Sequence, residues 1–456
     1  MKTTSFWFAG IVVACLMMVD TTTQGQCEPF QRLASDGEIF AQWSPSVAIS
    51  GDVAVFAGGE TAYIYRKNGA KWVRETKIEY TGEDHPIGDW FGQSVGIHKD
   101  VVVVGVPLDD DNGNLSGSAH VYRFNGTTWA LETILLARDG DPGDFFGWWV
   151  AIDGDVIIVG ADGEDSSGPT SGAAYVFRFN GTTWVEEQKL TASDASTRDV
   201  FGAGVAISGN VAIVGAYQAG PDEAGSAYIF RFNGETWVEE AVLRPPPGAV
   251  DFIFGHAVDI AGDVVAVLSK TFVPWEGLFF RAYVFRYAGQ AWTLEAALST
   301  PAMQVVVDTT RQVAIGDDVL LVGTYESSFT NTEARLFRRE GTTWRDSGTV
   351  ELPSDTEDFF FGVTVAISGE TAIVGAQAVS DESPYLPTGS AHMVDLRLCE
   401  GCPLDLNGDG NVGIEDLLGL LAAWGPNPGH PTDFDGDGVV GIADFLMLLE
   451  SWGPCL

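Results

Sequence analysis

Near the C-terminus, oxygen-bearing side chains recur at alternate positions: Asp405, Asn407 and Asp409, then Gly410 and, six residues beyond it, Asp416. The same spacing returns 28 residues later as Asp433, Asp435, Asp437, Gly438 and Asp444. Alternation lets the oxygens converge on one point while the intervening residues face away. The glycine permits a sharp turn at position 6 of a twelve-residue loop, and the carboxylate at position 12 closes it. Asn411 and Val439, at position 7, offer backbone carbonyls, and Gly413 and Gly441, at position 9, leave that place to water. Hard oxygen ligands in this order suit calcium, one ion per loop and two in all.

The elements that must hold these loops are short. Leu417, Leu418, Leu420, Leu421 and Trp424 match Phe445, Leu446, Leu448, Leu449 and Trp452, predicting one amphipathic helix after each loop. Both stretches stop at Gly-Pro, at 425–426 and 453–454, read as a C-cap glycine and a breaker. Cys402-Pro403-Leu404 and Gly429-His430-Pro431 cannot supply a helix before either loop. A duplicated loop plus exit helix over residues 402–455 resembles the type I dockerin module. The resemblance implies an attachment device for a cohesin-like or cell-envelope protein. Ile414-Glu415 and Ile442-Ala443 depart from it, because dockerins commonly carry partner-recognising hydroxyls there.

The rest of the chain is one pattern repeated. Phe-Gly opens a short apolar run, a turn follows, and a second run ends in Val-Gly-Ala. Gly-Ser-Ala-Tyr-Val-Phe-Arg and Asn-Gly-Thr-Thr-Trp complete the unit. Phe-Gly pairs stand at 91–92, 146–147, 201–202, 254–255 and 361–362. The isoleucine ending the first run falls at 49, 97, 152, 207, 260, 315 and 367, so there are seven units. Each reads as four strands, such as Val205-Ala206-Ile207, Val211-Ala212-Ile213-Val214, Ser226-Ala227-Tyr228-Ile229-Phe230 and Trp237-Val238-Glu239-Glu240. The first two are apolar throughout and so buried on both faces; the fourth alternates with glutamates and lies at the rim.

Seven such sheets predict a mainly β chain: a seven-bladed β-propeller over residues 26–398, with a small α-helical, EF-hand-like calcium module over 402–456. The seventh unit lacks its Asn-Gly-Thr-Thr-Trp strand. Phe30-Gln31-Arg32-Leu33-Ala34-Ser35-Asp36 resembles Glu187-Gln188-Lys189-Leu190-Thr191-Ala192-Ser193-Asp194, so the N-terminal segment is expected to supply the missing strand and close the ring, in an antiparallel pairing that would bring Cys27 beside Cys399. The repeat, typified by Phe146-Gly147 through Val159-Gly160-Ala161 to Tyr175-Val176-Phe177, resembles the FG-GAP repeat of integrin α-subunit propellers. Calcium-binding members of that family carry an Asp-rich loop between the first and second strands. Here only short turns stand there, such as Ser50-Gly51-Asp52 and Asp153-Gly154-Asp155, too short to wrap a cation. The resemblance implies a ligand face on the longer connections, which are acidic (Asp109-Asp110-Asp111, Asp139-Gly140-Asp141, Asp162, Glu164-Asp165, Asp222-Glu223, Asp355, Glu357-Asp358, Asp381-Glu382).

The formal charge of −39 argues against nucleic acid and anionic lipid as partners. Lys2, the apolar run Phe6–Val19 and the small residues up to Gly25 read as an export leader over residues 1–25, placing the chain outside the cell or on its surface. An alternative reads Val12-Val13-Ala14-Cys15 as a lipidation signal. No later segment is apolar enough to span a bilayer. Four cysteines remain after the leader, and pairing 27–399 and 402–455 would tie the ends of each domain. His120 and His392 fall where other units carry Tyr175, Tyr228 and Tyr283, which points to strand packing. No nucleophile elbow, zinc helix or phosphate loop is present. The expected function is a non-enzymatic binding protein of adhesion type; the alternative is a polysaccharide-active enzyme on the same attachment module.

Overall fold

A computed structural model describes residues 26–27, 31–39, 45–69, 71–82, 88–220, 223–249, 251–273, 277–300, 312–324, 333–352, 358–379, 387–396, 404, 406, 411–427, 432, 434, 439–450 and 452–454. The expected leader, with Cys15, lies outside them.

Seven sheets form a β-propeller, and in blades 1 to 6 the four blade strands run antiparallel in sequence order from the inside outward. Blade 1 holds Ser46–Ser50, Val53–Gly58, Thr61–Asn68 and Lys71–Glu79. Blades 2 to 6 cover 95–135, 149–190, 201–243, 251–299 and 313–351. Blade 7 takes its three inner strands from 358–395 and its outer one from Gln31–Ile39. The innermost strands of consecutive blades touch all the way round, blade 7 against blade 1 included. Second strands such as Val156–Ala161 and Val211–Ala216 are buried along their whole length. Between blades 3 and 4, for instance, Trp149, Ile158 and Val176 pack on Val205, Val214 and Tyr228. Apolar faces that no single sheet could cover are thus covered by the next sheet.

The repeated residues are those that join blades. Phe91, Phe146, Phe201, Phe254 and Phe361 are all fully buried. The Phe146 N–H donates to Ser116 O of the preceding blade at 2.9 Å, and Phe201 and Phe254 do the same to Ser171 and Ala224. The adjoining glycine must lack a side chain, because a Cβ on Gly147 would lie 2.1 Å from Ser118 O. On the outer side, Trp184 donates its indole N–H to Glu132 of blade 2 at 3.1 Å, and Trp237, Trp292 and Trp344 repeat this to Glu187, Glu240 and Glu295. Each glutamate also receives an arginine of its own blade, as Glu187 receives Arg178 at 2.8 Å. Arg178 in turn lies 4.6 Å over the Phe232 ring of the next blade. In the Asn-Gly-Thr-Thr turns, Asn125 and Asn180 accept the N–H groups of the two threonines that follow, so these side chains shape hairpins.

The N-terminal strand closes the ring in the register its likeness to Glu187–Asp194 requires. Gln31, Arg32 and Leu33 oppose Met393, His392 and Ala391, as Gln188, Lys189 and Leu190 oppose Val176, Tyr175 and Ala174. Gln31 clasps the Trp72 backbone through both its N–H and its C=O, at 2.7 and 2.6 Å, and Gln188 clasps Trp237 identically. One expectation is corrected. Gln26–Cys27 crosses to blade 6 and pairs in parallel with its outer strand, Cys27 opposite Val350; it does not continue antiparallel along blade 7. Pro29, which has no N–H to give to a ladder, stands between the two strands. Cys399, Cys402 and Cys455 lie outside the described residues, and with them both expected pairings.

Asp358, 2% exposed at its side chain, anchors this closure. It accepts two hydrogen bonds from Arg32 (2.6 and 2.7 Å), one from Ser390 (2.9 Å) and a contact from His392 Nε2 (2.7 Å). Burial alone would raise its carboxyl, but Arg32 and His392 outweigh burial and hold it well below the usual carboxylate range. A carboxyl depressed in the folded ring adds stability above about pH 4 and surrenders it as the pH falls further. Asp358→Asn is therefore expected to be less stable than the parent at pH 7 and to converge on it towards pH 2, followed by urea denaturation. A gap of constant size would contradict this.

Candidate functional site

The C-terminal segment builds two like halves. Helix α1 is Ile414–Ala422 and helix α2 is Ile442–Glu450. Asn411–Val412 pairs with Gly453–Pro454, and Val439–Val440 with Gly425–Pro426, so the residues leaving each loop bind the residues leaving the other helix. This refines the sequence reading of Gly-Pro: α1 ends at the Ala423 cap, and Gly425-Pro426 form a bridge strand. Val412, Leu420, Val440 and Leu448 make a small buried core.

Of the expected ligands, the structure describes Asn411, Asp416, Val439 and Asp444; Asp405, Asn407, Asp409, Asp433, Asp435 and Asp437 lie outside the described residues. Asp416 and Asp444 are 1% and 0% exposed. Asp416 accepts the N–H of Leu406 at 2.6 Å and of Gly413 at 2.7 Å, drawing positions 2 and 9 of its loop towards position 12. Asp444 does the same to Phe434 and Gly441, both at 2.7 Å. A carboxylate with one N–H on each oxygen keeps further lone pairs for a cation. Residues 401–456 contain nine acidic side chains and no lysine or arginine. The ligand order read from the sequence is that of a calcium loop, and the two described position-12 carboxylates are held facing their own loops.

On the propeller, the short turns emerge on one face and the long connections on the other. The axial channel, about 640 Å³, is lined by all seven repeat isoleucines, from Ile49 to Ile367. Around its short-turn rim, Gly51 N–H donates to Ser368, Lys99 N–H to Ser50, Gly209 N–H to Asp153 and Gly262 N–H to Ser208, stitching hairpin to hairpin. His98 meets Asp153 across the same rim at 2.9 Å.

The long-loop acids divide into two kinds. Asp109 and Glu164 are 2% and 4% exposed and turned into their own loops. Asp109 accepts the Asp111 N–H, and Glu164 accepts the Ser166 N–H and Lys189 Nζ, each at 2.8 Å. They are staples of the loops. Asp139 and Asp165 stay exposed. His120 and His392 pack edge-on against Phe91 and Phe361, as the tyrosine positions do against Phe146 and Phe201. Sequence reading missed the buried aspartates just ahead of four Phe-Gly pairs (Asp89, Asp144, Asp199, Asp251), although their recurrence was the available signal. It placed the fifth, Asp358, among the ligand-face acids, where the structure instead buries its side chain in the closure of the ring.

Sequence reading also missed a second cavity, about 510 Å³, on the long-loop face. Phe145, Trp148 and Trp149 of blade 3, Tyr217 of blade 4 and His256 of blade 5 wall it, with Asp162, Arg198 and Gln218 as its polar members. Trp148 is half-buried and stacks edge-on with Phe145 at 5.7 Å; Trp90 of blade 2 adjoins it at 5.8 Å. Asp162 is half-buried on the cavity wall. Burial pushes its carboxyl up to about 7, against the pull of its own and Gly163's N–H. Tyr217 is raised by burial and by the neighbouring Asp162 charge.

Among the described residues no helix is long and apolar enough to cross a membrane. No curated protein matches the chain. Three stretches, 72–122, 129–177 and 184–230, match the family model described as FG-GAP repeat. Each runs from the outer-strand tryptophan of one blade, across the seam, to the third strand of the next. The family's unit is therefore the joint between blades, and this chain carries three FG-GAP repeats within a seven-bladed β-propeller.

Proposed function

We propose that this is an exported, non-enzymatic binding protein. The propeller is its interaction platform, and the C-terminal segment is a calcium-ordered, dockerin-like module that attaches it to a cohesin-like or cell-envelope protein. One observation carries the attachment reading: a duplicated apolar face left in the open. Ile414, Leu418 and Leu421 on α1 are 68, 59 and 49% exposed, and their counterparts Ile442, Leu446 and Leu449 on α2 are 70, 53 and 42% exposed. Trp424 and Trp452 extend each stripe. Contiguous apolar surface of this kind marks a partner site. Isoleucines at the positions where dockerins place hydroxyls support a partner with an apolar patch.

Calcium would order the loops from which both helices start, through Asp405, Asn407, Asp409, Asn411 and Asp416 in the first and Asp433, Asp435, Asp437, Val439 and Asp444 in the second. For the propeller, the described walls of the aromatic cavity contribute one carboxylate, Asp162, beside its aromatic side chains.

The test is capture of an envelope protein by the immobilised full chain. Capture in millimolar calcium, release by chelator, and loss in a Leu418→Asp/Leu446→Asp variant whose ring melts normally are the expected results. Capture that survives both the chelator and the double variant would rule out attachment through this module.

A further inference from the structure

The seven-fold repetition shows which residues propeller packing requires, so departures from the repeat at an open cavity call for a different explanation. Trp148 follows Phe146-Gly147 directly. The corresponding residues in blades 2, 4, 5 and 7 are Gln93, Ala203, His256 and Val363, so nothing in the fold demands an indole there. Tyr217 follows the Val-Gly-Ala of blade 4, at a position where blades 2, 3, 5, 6 and 7 carry Pro107, Asp162, Lys270, Tyr325 and Gln377, so the fold demands no particular residue there. Both aromatics line the same cavity although they come from different blades.

We propose that this cavity is a carbohydrate-binding site, in which a neutral pyranose lies on the Trp148 indole while Asp162, Gln218 and Arg198 read its hydroxyls. The proposal deepens the binding reading above and rests on it. A pyranose presents a face of C–H groups and a rim of hydroxyls, each able to donate one hydrogen bond and accept others. The cavity supplies the complement: aromatic walls and, beside them, an acceptor carboxylate, a guanidinium that only donates and an amide that does both. Its volume of about 510 Å³ lies within the usual span of small-molecule sites.

Other ligand classes fit less well. Arg198 opposes an ammonium ligand that the aromatic walls would otherwise suit. The chain's formal charge of −39 opposes phosphates and acidic sugars. Trp90, 5.8 Å from Trp148, extends the aromatic surface towards blade 2, so a linear oligosaccharide gains a second platform that a monosaccharide cannot use.

The full chain would be screened on arrayed neutral oligosaccharides (β-glucan, xylan, mannan, galactan and α-glucan series), and hits measured by calorimetry. The expected result is binding of at least one series, stronger for tetramers than for monomers. Trp148→Ala should weaken it at least about tenfold, with the ring's melting temperature unchanged. Gln218→Ala, on the half-buried rim, gives a second reading should Trp148→Ala fold poorly, with a loss of about threefold to tenfold expected. No binding to any neutral series at millimolar sugar would overturn the proposal, as would affinity indifferent to both substitutions, or binding confined to anionic glycans. Calcium-dependent capture through the C-terminal module is read separately, so its survival alongside a failed screen would sink the sugar site alone.

Discussion

Stripping calcium from the full chain is expected to unfold residues 402–456 while the propeller stays folded. The module's only fully buried apolar side chains among the described residues are Val412, Leu420, Val440 and Leu448, too few to hold some fifty residues unaided. Against that small core stand nine acidic side chains with no lysine or arginine among them, two of them buried at Asp416 and Asp444. Without a cation, the loops gather like charges, and their mutual repulsion opposes folding of the segment. With calcium at a hundredfold excess over its dissociation constant, each independent site adds about 2.7 kcal/mol. Calorimetry should therefore show two transitions, of which only the smaller moves with calcium and vanishes in chelator. Asp416→Ala or Asp444→Ala should remove most of the calcium-dependent shift. If neither transition responds to chelator, the calcium reading of the loops fails.

The second large effect concerns glycines at the blade seams. A Cβ on Gly215 would lie 1.7 Å from Gly255 O in the next blade. Both partners are backbone, so no rotamer change relieves the clash and the blades must part. Gly215→Ala is expected to cost about 4 kcal/mol or more, at the extreme of single substitutions. Gly209 offers the control. It sits in the hairpin turn of the same blade with φ +58 and nothing within 4 Å of its would-be Cβ. Gly209→Ala should cost only about 1–2 kcal/mol, the strain of a left-handed alanine. Thermal or urea denaturation would compare them, and equal costs would refute seam packing as the reason for these glycines.

Blade number and ring closure were legible because a repeat compares the chain with itself. Gln31 could be aligned with Gln188 before either was known to clasp a tryptophan, and the register followed. The proposed calcium loops rest on ligands that stand close together in the sequence. What was not legible depends on chain folding across distance. Trp148, Tyr217 and His256 meet only because three blades bring the same loop level together, and no spacing in the sequence announces it. Gln26–Cys27 could not be assigned to blade 6, since two residues carry no periodicity. On the exit helices, apolar residues occupy too many positions for periodicity alone to show that Leu420 and Leu448 face inward while Leu418 and Leu446 face water.

The place where the chain leaves the ring sets its display. The third strand of blade 7 ends at Asp395, and Leu396 is held there by its N–H to Glu370 O at 2.8 Å and by Arg338 Nη2 on its carbonyl at 2.7 Å. Glu370 belongs to the turn between the two inner strands of that blade, so the tether departs from the short-turn face. The aromatic cavity opens on the other side. Under the proposed attachment, the last described strand of the ring would end on the tight-hairpin face, away from the longer loops, so substitutions in those loops would change what is presented without touching the strand that leads to the module.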